Sequence, residues 1–309
     1  MPSKASVGRH GTRGKARSLV TEFAASQANK TDTSALRLQP VGARLPLALL
    51  RRRRIRTGIV KGLRTLEEDM KLRIIFFMLL AVSCAAQVGP TPTFEDHFNT
   101  GVLNTKVWIV SNWGAPGGGV FRPKNIDLSQ GLLRISLTQT ENSDGSIFSV
   151  GGELQTKAAY GYGTYEWTMR MSSTSPTKNG YGQITSGQVS SGFTFINNSQ
   201  TEIDYEVEGQ FPNQIEMTNW KGLHAQQYTS SFLQSPEAGF HKYRFVWSAS
   251  KIVFYVDGLK VSTHTLNIPF AAAYVMINHW GTNSASFGGL AMPGVERYMY
   301  VSSFKFWAQ

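Results

Sequence analysis

The chain has 309 residues, 41% of them hydrophobic, which gives room for one large domain or two small ones around an ordinary core. Its net charge of +11 suggests a nucleic-acid partner, but 17 of its 31 Lys and Arg and only 5 of its 20 Asp and Glu lie in residues 1–87. The remaining 14 basic and 15 acidic residues nearly cancel, so the charge belongs to the leader, and no basic nucleic-acid surface is expected on the folded part.

Residues 1–69 carry four consecutive arginines at 51–54 among many Ser, Thr and Gly, with no sustained period of 2 or 3.6. This basic extension is expected to be disordered or to lie before the true start at Met70. Residues 70–86 then have the form of a secretory signal peptide, with Lys71 and Arg73 leading a short apolar run closed by small residues. The apolar stretch 74–82 is too short to span a bilayer as a helix. Cutting near Ala86 and Gln87 releases a secreted chain, extracellular or periplasmic. The alternative is a lipid anchor on Cys84, the only cysteine, because residues 81–84 resemble a bacterial lipobox. In either case the domain expected over 87–309, a monomer, holds together without a disulfide.

From residue 90 onwards, short alternating runs are separated by Gly, Asn, Ser and Pro, the pattern of an all-β sandwich or barrel. Strands are expected over 131–138, 165–171, 191–196, 201–209, 243–247, 252–256, 274–280 and 300–307. Asp257-Gly258, with Lys260-Val261 resuming, predicts a hairpin, because both turn positions favour positive φ. The length suits two large sheets packed face to face as one domain. The Ser-, Thr- and Gly-rich loop 172–187 is the segment expected to be most mobile.

The run T-E-I-D-Y-E-V-E-G at 201–209 puts Glu202, Asp204 and Glu206 at alternate positions, with Ile203, Tyr205 and Val207 between them. Successive strand side chains face opposite sides, so three carboxylates share one surface and the apolar set faces a core. Glu202 and Glu206 stand about 13 Å apart at Cα, and side chains leaning together approach the carboxyl separation of about 5–5.5 Å used by retaining glycosidases. Three crowded acids repel, so one of them holds its proton near neutral pH unless a cation intervenes. A calcium ion is the other chemical use of such a cluster.

At this point the sequence resembles glycoside hydrolase family 16. The resemblance rests on E-I-D-Y-E at 202–206 and on collinear stretches at 94–99 (F-E-D-H-F-N), 151–157 (G-G-E-L-Q-T-K), 162–170, 240–247, 252–258 and 277–280 (I-N-H-W). It implies a concanavalin-like β-jelly-roll sandwich of two antiparallel sheets, with Glu202 as nucleophile, Glu206 as general acid/base and Asp204 orienting the pair. The compact E-x-D-x-E spacing is similar to the lichenase and xyloglucan transglycosylase branches. The implied activity is hydrolysis within a β-linked polysaccharide, expected to be a β-glucan with β-1,3-1,4 or β-1,3 bonds. Two alternatives stand beside it: transglycosylation on the same site, and a non-catalytic sugar-binding domain. No cofactor is required on this reading; many relatives hold a structural calcium, but no acidic loop here secures one.

The resemblance also implies substrate contacts at Asn278 and Trp280, at Trp220, and at the polar pair Glu153 and Gln155. In relatives the second of that pair is often Arg, so Gln155 implies different hydroxyl recognition. Phe193, Asn112 and Trp113 complete the set. His279, between Asn278 and Trp280, is expected to point into the core, and Trp108, Trp167, Trp247 and Trp307 are assigned there too. Glu208 extends the acid face and is expected to be a solvated strand end.

Overall fold

The computed structural model describes residues 90–309. The expectations for residues 1–69, for 70–86 and for Cys84 lie outside them.

In chain order the strands are β1 (Phe94–Asp96), β2 (Trp108–Val110), β3 (Val120–Phe121), β4 (Ile126–Asp127), β5 (Leu133–Glu141), β6 (Ile147–Tyr160), β7 (Gly163–Ser173) and β8 (Gln188–Ile196). They continue with β9 (Thr201–Glu208), β10 (Gln214–Trp220), β11 (Gln226–Phe232), β12 (His241–Trp247), β13 (Ile252–Val256), β14 (Leu259–His264), β15 (Ala273–Gly281) and β16 (Arg297–Ala308). The front layer runs β11-β10-β9-β8-β15-β6, with β2 on β6; the back layer runs β5-β16-β7-β12-β13-β14, with β1 on β16 and β4 on β5. The neighbours are antiparallel, apart from the two-residue pairing of β3 with β6.

The sandwich expected from the sequence is therefore present, but its layers are not separate sheets. The end of β5 pairs with the start of β6 from Thr138↔Val150 to Glu141↔Ile147, which carries the hydrogen-bond ladder from back to front. At the opposite margin Thr229 Oγ1 on β11 donates to Ser262 Oγ on β14 at 2.8 Å and meets His264 Nε2 at 2.8 Å. Side chains thus bridge the two outermost strands at this margin.

One large core fills the space between the layers. Ile203, Tyr205, Val207, Ile215, Met217 and Ile277 enter it from the front, and Trp167, Met169, Phe245, Phe254, Met299 and Phe304 from the back. Burying each of the larger side chains contributes roughly 1.5–3 kcal/mol. Close approach of the layers leaves no room at Gly192 on β8, where an added Cβ would lie 2.8 Å from Met169 Cε and 3.3 Å from Trp167 Cδ1. The predicted hairpin joins β13 to β14, with Asp257 at φ 50° and Gly258 at φ 82°.

Trp108, Trp167 and Trp247 are buried as expected, but Trp307 is only half-buried. With Phe304 and Phe306 already pointing inward, alternation along β16 turns Trp307 to the outer face. The loop after β7 is tied back to the domain by hydrogen bonds. The buried Arg170 guanidinium donates to the carbonyls of Lys178 (3.0 Å) and Gly180 (2.7 Å), and Gln183 N–H donates to Thr174 Oγ1 at 3.1 Å.

Candidate active site

Strand β9 sits between β8 and β10 in the front layer, and its period-2 pattern divides it cleanly. Ile203, Tyr205 and Val207 face the core, which puts Glu202, Asp204, Glu206 and Glu208 on the other face. The Tyr205 hydroxyl reaches across the sandwich, donating to the Arg244 carbonyl (2.7 Å) or the Tyr255 carbonyl (2.9 Å) and accepting from Tyr255 N–H (3.0 Å). The residue between Asp204 and Glu206 is thereby pinned to β12 and β13.

The register of the neighbouring strands brings the remaining candidates into rows across this acid face. Thr218, Asp204, Phe193, Met276 and Gln155 form one row, and Glu216, Glu206, Ser191, Asn278 and Glu153 form the next. Trp220 lies opposite Glu202, while Trp280 lies opposite Val189, which faces Glu208. Glu153 therefore stands three strands from Glu206 in the same row, about 14 Å away at ordinary strand spacing. Gln155 lies beside a bulge in β6, where Thr156 Oγ1 takes over part of the ladder by accepting from Val275 N–H at 2.9 Å and donating to the Ala158 carbonyl at 2.8 Å.

Glu202, Asp204 and Glu206 are 0%, 1% and 2% exposed, so they form a floor rather than a solvated surface. Their partners on β8 and β10 are Phe195, Phe193, Ser191, Trp220, Thr218 and Glu216, none of them a cation. Among the described residues no group of three or more His, Cys, Asp and Glu is arranged to hold a metal ion.

Glu153 is also buried, accepting from Ser111 Oγ (2.8 Å), from Asn278 Nδ2 (3.1 Å) and from Trp113. Burial outweighs these donors and pushes its carboxyl up to about 7 from an ordinary value of 4.5. Between those two values the folded chain keeps a proton that the unfolded chain has released, so Glu153 makes stability fall as pH rises through that window. Glu153→Gln is expected to reduce that slope, read as the difference between urea midpoints at pH 5 and pH 7.5.

The other expected contacts fall at different depths. Asn112 and Trp113 follow β2 on the loop beside Glu153, both exposed, and Asn112 Oδ1 accepts from Arg122 at 3.5 Å. Trp113 presents an open ring, 40% exposed. Phe193, Trp220 and Trp280 are at most 2% exposed, so they line the face without offering a free stacking surface. Trp280 is covered by Phe287, Ala115, Phe121 and Val189, with the Phe287 ring centroid 5.9 Å away. His279 is buried on the opposite side, its Nδ1 3.0 Å from Ser190 Oγ; burial lowers its pKa to about 3, which keeps it neutral.

Glu208 departs from its expected role. It is 4% exposed, and its Oε2 accepts from Gly288 N–H and from Gln210 Nε2 (2.6 Å); it is no solvated strand end. Its other partner, the Glu216 side chain, was not singled out in the sequence. The alternation of Gln214, Glu216, Thr218 and Trp220 with Ile215 and Met217 was readable, but only the register shows that Glu216 faces Glu206.

Residues 119–292 match the family model described as Glycosyl hydrolases family 16. A beta-glucanase of Acetivibrio thermocellus is 30% identical over 230 residues, 68% of this chain and 64% of that protein, so the chain spans less than two thirds of that relative's length. A beta-glucanase of Bacillus subtilis is 30% identical over 218 residues, covering 67% of this chain and 82% of that one. Among solved structures, the Bacillus licheniformis beta-glucanase superposes with a TM-score of 0.60 at 24% identity, over 71% of this chain and 99% of its own. That likeness is one of fold. The match extends over more than half of the sequence and includes the acid strand, its neighbours β8 and β10, and all of β6 and β15, so the chain belongs to glycosyl hydrolases family 16.

Proposed function

We propose that this chain hydrolyses internal bonds of a neutral β-glucan, with β-1,3-1,4 or β-1,3 linkages, by a retaining double displacement. The observation that carries the reading is the buried face holding Glu202, Asp204 and Glu206 on one strand of a family 16 domain. On this reading the Glu202 carboxylate attacks the anomeric carbon while Glu206 gives its proton to the departing oxygen. Water, deprotonated by Glu206, then releases the sugar from Glu202 with the original configuration. Asp204, between them on the same face, keeps the two carboxyls apart in orientation and role.

Charge supports a neutral substrate. The floor presents carboxyls whose cross-strand partners include no Lys or Arg, so a sulfated or uronic-acid chain would meet like charge in a poorly hydrated site. The beta-glucanase names of the relatives point the same way. The lysine- and arginine-led apolar segment at 70–86 supports action outside the cytoplasm.

The test is protein beginning at Gln87 incubated with lichenan, laminarin, xyloglucan, agarose and carrageenan, with new reducing ends counted. Cleavage of lichenan or laminarin by the parent and not by Glu202→Ala is the expected result. Cleavage of carrageenan alone, or equal cleavage by the variant, would sink the reading.

A further inference from the structure

Glu206 is not the last acid on its patch. Glu216 lies directly opposite it on β10, Glu208 follows two residues later on the same face of β9, and both are 4% exposed. Directly opposed side chains in an antiparallel pair have Cβ atoms about 4.5–5.5 Å apart, and like charges there are destabilising. Three ionised carboxyls are therefore untenable in this triangle.

The hydrogen bonds show how the crowding is relieved. The Glu208 and Glu216 side chains bond to each other, and two carboxyls can do so only if one carries a proton. Glu208 Oε2 accepts from Gly288 N–H and Gln210 Nε2, partners that favour a carboxylate. Glu216 Oε1 accepts from Tyr228 OH (3.0 Å) and Gln214 Nε2 (3.0 Å), which leaves Oε2 to carry the proton and donate to Glu208. Burial raises both carboxyls, Glu216 to about 8. The titratable groups that bear most on the pair are Glu206 from β9 and Tyr228 from β11, both acidic.

We propose that Glu208 and Glu216 form a proton-sharing pair that holds a single negative charge beside Glu206 and so positions the acid/base. This inference rests on Glu206 being the acid/base. The pair does not touch the substrate; it acts through Glu206. Loss of the shared proton at higher pH adds a second charge to the same patch.

The test combines carboxyl-carbon NMR titration of 13C-glutamate-labelled protein with pH–rate profiles on the glucan that the parent cuts, for the parent, Glu208→Gln and Glu216→Gln. Glu208→Gln leaves Glu216 as a single carboxyl that no longer shares its proton, so the high-pH titration of the parent is expected to move down, and the pH–rate profile with it. Glu216→Gln keeps a donor to Glu208 but cannot lose it, so the high-pH carboxyl titration disappears from the spectrum. A high-pH carboxyl titration that persists unchanged in both variants, each folded by its thermal transition, overturns the proposal, as does a parent spectrum with no carboxyl titrating above neutrality. The titration reads the pair even in a protein that cuts no glucan, and a parent without activity would count against the function and not against the pair.

Discussion

Glu202→Ala and Glu206→Ala are each expected to reduce lichenan or laminarin hydrolysis by about 10³-fold or more, and to fail differently. Removing Glu202 deletes the group that forms the covalent intermediate, so the loss is the same whatever the leaving group. Removing Glu206 withholds a proton, so an activated aryl glycoside, which needs none, should lose far less than the polysaccharide. Added azide separates the roles further. In Glu206→Ala it can replace water in the second step and give a glycosyl azide of retained configuration. In Glu202→Ala it can occupy the vacated floor and attack the substrate directly, giving the inverted product. Both variants should keep the parent's thermal transition or gain slightly, since each relieves repulsion among buried acids. Product configuration by NMR decides the assignment, and interchange of the two azide products would reverse the roles given to Glu202 and Glu206.

The largest stability effect tied to the site is expected at Tyr205. Its ring packs edge-on against Phe254 at 5.4 Å between centroids and lies 5.6 Å from Tyr243. Tyr205→Ala removes that packing and leaves a cavity in the middle of the core, at a cost of about 3–5 kcal/mol. Tyr205→Phe keeps the ring but orphans the Tyr255 N–H that the hydroxyl now satisfies, at about 1–3 kcal/mol. Urea denaturation at neutral pH measures both. Because the neighbours of Tyr205 in the chain are Asp204 and Glu206, Tyr205→Phe should also lower kcat more than it raises KM. A change confined to KM would mean that the anchor does not hold the carboxyls in place.

The parts of this molecule that were legible in the sequence are those with strong alternation. β9, β12, β13 and β15 each carry an unbroken apolar set on one side, and their bounds lie within two residues of expectation. The 257–258 turn was legible because its residue types suit positive φ. β11 was not, since Q-Q-Y-T-S-S-F is polar on both faces and is a strand only because β10 supplies a ladder for it. β6 was seen as a motif and not as a 14-residue strand, because paired glycines and a bulge interrupt its period. The acids of β9 were legible for the same reason as the strand. The setting of Glu206 was not, because Glu216 is ten residues away in sequence and its meaning lies wholly in cross-strand register.

β16 is the last of the described strands in sequence and yet lies in the interior of the back layer, between β5 and β7. Synthesis therefore delivers the keystone last. Until its 12 residues emerge, β5 and β7 have no partner on their facing edges, and Met299, Val301 and Phe304 are missing from the core. Pairing with β5 spans more than half of the described chain, the kind of contact that forms slowly because so much loop must close first. The back layer of the domain cannot close until β16 has been made, leaving an interval in which the edges of β5 and β7 are exposed to wrong pairing.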